Sequence, residues 1–157
     1  MASGYAGHFV DRVDTMGVMT TRAGKMYLVT NPRTVNTRAE PVRVFGGPVA
    51  VLTDPVSVST SEFFAGGMQA LGRARVFGET SAGQALPAFA QRLPNGDVLM
   101  HAIADFTGPT GQRFEGAGVV PDVAAPPTRA ALLAGRDNAL AAALAWIDSQ
   151  KEHRGAR

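Results

Sequence analysis

The chain has 157 residues, 45 % of them apolar and 18 % charged, with a formal net charge of +2. That describes one ordinary domain with enough apolar side chains for a core, globular rather than disordered. The 15 basic and 13 acidic residues are spread along the chain, without the basic stripe and interleaved aromatics of a nucleic-acid binder. The lack of cysteine excludes disulfides, thiolate zinc sites and a cysteine nucleophile. No run approaches the ~18 apolar residues that span a membrane. "MASGYAGHFVDR" has no signal-peptide core, so the chain reads as soluble and untargeted as it stands.

In chain order, Tyr5 to Met16 reads as a short helix with Phe9, Val13 and Met16 on one face. "GVMTTRAGKMYLV" reads as a hairpin turning at Ala23-Gly24, and "NPRTVNTRAEP" as a surface loop. The apolar run Pro48 to Thr53 has the pattern of a strand buried on both faces. Phe64, Met68 and Leu71 mark a helix closed by Gly72, and "ARVFGE" is a second buried strand. Strand, helix, strand within about thirty residues is a βαβ unit, which requires the two strands to be parallel. "AFAQRLPNGDVLMHAIADF" is a hairpin at Asn95-Gly96. A Gly/Pro-rich loop follows, then a helix over about 136–150 with Leu140, Leu144 and Ile147 on one face. The class is α/β with a mixed sheet.

The helix that starts in "SVSTSEFF" carries the most informative local signal. Ser59 and Glu62 have the spacing of a capping box, and on spacing alone a cap is the reading to prefer. A serine at a helix N-terminus also stands beside unpaired N–H groups and a partial positive charge, which can stabilise an oxyanion.

"STSEFFAGGMQALGRARVFGETSAG", with "LPNGDVL" and "GPTGQRFEGAGVVPDV" further on, resembles the tail-specific or C-terminal-processing serine proteases, peptidase family S41. This family includes the tricorn core and the interphotoreceptor retinoid-binding protein repeats. The motifs occupy 47–123, and "GRDNALAAAL" is similar to the family's closing helix. The resemblance implies a ClpP/crotonase-like fold of stacked β-β-α units, here a single core domain over 1–157, and a serine-type peptidase without cofactor or metal. It implies Ser59 as nucleophile and the Thr60 N–H as oxyanion donor. Glu115 falls on the glutamate that assists the base in the tricorn branch. It also suggests peptides or unfolded C-terminal segments as substrates, and a bacterial periplasm, cell envelope or secreted location.

Two departures from the family pattern bear on activity. The processing proteases place a lysine base 25 residues after the serine, and that position is Gln84, whose carboxamide cannot take a proton. "GETSAGQALP" is closer to the tricorn branch, where an upstream histidine is the base. His8 reads as an exposed helix residue, His153 as part of the tail, and His101 as a half-buried strand histidine for which a base role stays open. The family's PDZ domain and the strand ending in its oxyanion glycine are not found. "SGYAG" reads as a remnant of that loop, with Gly4 as a candidate donor. A truncated core of this kind is expected to be weakly active, and to pair its apolar sheet edge with another copy or an upstream segment. The competing reading is a non-catalytic module that binds peptides or apolar ligands, since fold alone does not fix function.

Overall fold

The computed structural model describes residues 2–155, with side chains to residue 151. A short helix α1 (Ala2–Ala6) leads into the hairpin of β1 (Thr15–Thr21) and β2 (Gly24–Val29). Then come β3 (Ala50–Thr53), helix α2 (Thr60–Ala70) and β4 (Arg75–Gly78). The second hairpin is β5 (Ala88–Arg92) with β6 (Val98–Ala102), followed by β7 (Asp105–Thr107) and β8 (Val123–Ala124). Helices α3 (Arg129–Leu133) and α4 (Asn138–Gly155) close the chain. The class is α/β, as the motifs imply.

Three sheets result, ordered β2-β1-β7, β3-β4-β8 and β5-β6. β3 and β4 pair in parallel, Ala50 opposite Arg75 through Thr53 opposite Gly78, and α2 is the connection between them. That is the βαβ unit read from the sequence. The second hairpin turns at Asn95-Gly96 as expected, with Arg92 opposite Val98, and the first turns one residue earlier than expected, at Arg22-Ala23, with Thr21 opposite Gly24.

α2 separates two apolar clusters. On one side Phe63 and Ala65 meet Phe106, Phe114 and Val119; on the other Met68 meets Ala6, Val10 and Met16. Phe63 and Phe106 stack with ring centroids 3.7 Å apart. Each large side chain buried this way contributes about 1.5–3 kcal/mol. The consecutive glycines in the middle of α2 make this double packing possible. A Cβ at Gly66 would lie 2.3 Å from the Phe114 ring, and one at Gly67 would lie 2.9 Å from the Met16 carbonyl oxygen.

Three sequence expectations are corrected. The first helix ends at Ala6, and Met16 lies on β1. The chain turns at Phe9 and Val10, and the Asp14 carbonyl already accepts the Thr30 N–H at 2.8 Å, so strand pairing overrides helical periodicity. Gly7 could not hold a side chain there, because the Asn31 carbonyl occupies that space. β3 is not buried on both faces: Leu52 is 42 % exposed and borders two cavities. On α4 the leucine face is the exposed one, with Leu140 at 45 % and Leu144 at 51 %. Small Ala143 is buried instead, which lets the helix approach β4 closely enough for Trp146 to meet Phe77 at 5.6 Å.

The Gly67 contact yields a stability test. Alanine there raises helix propensity by about 1 kcal/mol, but the new methyl meets backbone that cannot rotate away. Gly67→Ala is expected to lower stability by about 1–3 kcal/mol net, read from its urea midpoint. A midpoint raised above wild type would contradict the packing described.

Candidate active site

The loop between β3 and α2 ends at Ser59, whose φ of 55° and ψ of −119° lie outside the regions that non-glycine residues ordinarily adopt. Such a conformation costs about 1–3 kcal/mol and persists only where its surroundings enforce it. Here they do. The Ser59 N–H donates to the Gln84 carbonyl at 3.0 Å and to Glu62 Oε2 at 3.0 Å.

Glu62 is wholly buried, and its carboxylate is met on every side. Oε2 accepts the N–H groups of Ser59 (3.0 Å) and Gln84 (3.1 Å). Oε1 accepts the Ser81 hydroxyl (2.6 Å) and the Gly83 N–H (2.8 Å). Ser81 Oγ in turn accepts the Val119 N–H at 2.7 Å. The glutamate of the capping box therefore joins the helix start to the loop 81–84 and to the segment at Val119.

Glu115 plays a parallel part on the far side of that loop. Its Oε2 accepts the Ala85 and Leu86 N–H groups at 2.7 and 3.0 Å. Gln84 lies between these two anchored points. Its main chain holds Ser59 and Glu62 while the residue itself is exposed. Ser57 and Asp54 close a turn, with the Ser57 hydroxyl donating to Asp54 Oδ1 at 2.7 Å. The Ser61 N–H donates to the Val58 carbonyl at 3.1 Å. Thr60, the first residue of α2, has no carbonyl within the helix for its own N–H, as every first-turn residue must.

A cavity of about 570 Å³ opens beside this turn. Thr60 and Ser61 line it from α2, Leu52 from β3, and Gly4, Tyr5 and His8 from the N-terminal segment. The structure thus brings Gly4 and His8 to the cavity that Thr60 and Ser61 line, while Ser59, between Ser57 and Thr60 in the chain, is not itself among the lining residues. His101 lies elsewhere, on the β5–β6 hairpin, where its ring meets Phe89 and its Nδ1 is 3.4 Å from the Ala102 carbonyl. The His153 side chain lies outside those described. From the sequence His8 reads only as an exposed helix histidine, since its place depends on how residues 3–7 pair with 31–33: Asn31 N–H donates to the Ser3 carbonyl and Arg33 N–H to that of Gly7.

The model of peptidase family S41 matches residues 4–125, and the chain belongs to this family. No curated protein gives a significant match. Among solved structures, a candidate peptidase from Parabacteroides merdae ATCC 43184 superposes with a TM-score of 0.75 and 23 % identity, over 93 % of this chain and 46 % of that one. The photosystem II D1 C-terminal processing protease gives 0.62 at 22 %, over 78 % and 30 %. The tricorn protease gives 0.60 at 24 %, over 67 % and 11 %. At such identities the likeness establishes the fold. The chain spans less than half the length of each of these structures.

Replacing Glu62 by glutamine puts an amide NH2 where two donors already converge, whichever way the side chain is turned. Breaking a buried, fully engaged charged acceptor costs more than a single hydrogen bond. Glu62→Gln is expected to lower stability by about 2–4 kcal/mol in chemical denaturation. An unchanged midpoint would show that the four bonds are not formed together.

Proposed function

We propose that this domain is a serine-type peptidase core in which Ser59 is the nucleophile. The observation that carries the reading is the strained backbone of Ser59 at a strand-to-helix turn, fixed by Glu62 and Gln84. A turn of this kind presents a serine hydroxyl at the start of a helix. A helix cap needs no such strain, because a capping serine ordinarily has extended backbone angles. A module that only held a ligand would gain nothing from it either.

In the proposed reaction Ser59 Oγ adds to a peptide carbonyl while its proton passes to the imidazole of His8. The oxyanion is stabilised by the Thr60 N–H, with Gly4, which lines the same cavity, as the second candidate donor. The tetrahedral species collapses as the same proton goes to the leaving amine, which gives an acyl-enzyme that water then hydrolyses. His8 is preferred to His101 because it lines the cavity at the start of α2. Gln84 takes no proton. Glu115 acts as a positioning residue through the Ala85 and Leu86 N–H groups, rather than by touching the base.

The test is cleavage of an unfolded protein such as reduced casein by the chain and three variants. Ser59→Ala should abolish cleavage. His8→Ala should lower kcat/KM by about 10²–10⁴, the usual contribution of a general base, and His101→Ala should leave it within about twofold. Activity that survives Ser59→Ala, or that follows His101 instead of His8, would overturn the assignment.

A further inference from the structure

The two cavities that share Leu52, Thr53 and Ser57 differ in charge. The cavity that holds Thr60 and Ser61 is lined by Arg33 and His8, and by no acidic side chain among the described residues. A smaller cavity of about 240 Å³ shares His8 and Arg33 and adds Arg43. The only acid of the loop between β2 and β3, Glu40, is turned to Asn36, whose Nδ2 donates to Oε2 at 2.7 Å. Across β3 the arrangement reverses. A second cavity of about 570 Å³, which shares Leu52, Thr53 and Ser57 with the first, is lined by Asp54, Glu79 and Asp137 against a single Arg136.

Arg33 is an exposed residue whose main chain is anchored beside the cavity. Its N–H donates to the Gly7 carbonyl at 2.9 Å, and Asn31 N–H donates to the Ser3 carbonyl at 3.1 Å. Gly7 packs so tightly on Asn31 that no side chain fits between them. The main chain of Arg33 is therefore fixed to the wall that carries Gly4 and His8. Its guanidinium forms no ion pair among the described residues. A planar, always charged group lining a cavity that has no acidic side chain among its lining residues is suited to bind a carboxylate through paired N–H···O bonds.

We propose that Arg33 is a specificity-determining residue, selecting peptides that carry a carboxylate on the side of the cleft lined by His8 and Arg43. The inference rests on the peptidase reading for the path of the chain past Ser59, but it concerns binding and can be tested without catalysis. The carboxylate can come from an acidic side chain or from the C-terminus of the peptide. Both present the same group, and a cleft of one sign concentrates either.

Three dansylated pentapeptides titrated against Ser59→Ala protein separate the cases: Ala-Leu-Ala-Glu-Ala with an amidated end, Ala-Leu-Ala-Gln-Ala with a free end, and the amidated Gln peptide as the neutral form. At least one charged peptide should bind about five- to tenfold more tightly than the neutral one, and which one does so identifies the source. The preference should vanish in Arg33→Gln, persist in part in Arg33→Lys, and shrink in 0.5 M salt as screening requires. Equal binding of all three, no binding of any, or a preference that survives Arg33→Gln would overturn the proposal. Cleavage of the same peptides by the unsubstituted chain is scored separately. Selective binding without cleavage would refute the peptidase reading alone, and cleavage without selectivity would refute the carboxylate site alone.

Discussion

A carboxylate buried at the first turn of a helix has to be met by donors on every side, and Glu62 is met by four. An uncompensated charge at that depth would cost far more than the fold could supply. Each donor belongs to a segment the site requires: Ser59 itself, the loop 81–84, and through Ser81 the chain at Val119. The strain at Ser59 follows from this. Its N–H is held by Glu62 and by the Gln84 carbonyl, so the backbone cannot relax to the extended angles of an ordinary cap. One residue read from the sequence as half of a capping box therefore also sets the geometry of the proposed nucleophile.

The wider fold protects that arrangement from two directions. Phe63 and Met68 anchor α2 in separate apolar clusters, so the helix can neither roll nor slide without emptying one of them. The parallel pairing of β3 with β4 fixes where the chain leaves the sheet before Ser59 and where it returns after α2. Ligand sites in α/β sheets form beyond the carboxyl ends of the strands. Both large cavities lie there, touching Leu52 and Thr53 at the end of β3.

The parts legible in the sequence were those set by local chemistry. The Ser59/Glu62 spacing, the glycine that ends α2, the Asn95-Gly96 turn and the apolar strands on either side of α2 all depend on residues close in sequence. What was not legible depends on long-range pairing. Met16 looks helical until the Asp14 carbonyl meets Thr30, and the leucine face of α4 looks like a core face until the Ala143 stripe proves to be the one that fits β4. His8 is the clearest case. Eight residues from the start it has the pattern of an exposed histidine, which it is, and only the pairing of residues 3–7 with 31–33 brings it to the cavity.

The central claim, that the strained serine at the start of α2 is a nucleophile, is tested most directly by covalent labelling. The chain would be treated with a fluorophosphonate, digested, and the adduct located by mass spectrometry. The account predicts one modified site, Ser59, with the rate of labelling depressed when His8 is replaced. A chain that takes up no label, or takes it up at Ser57 or Ser61 while Ser59 stays free, would contradict it.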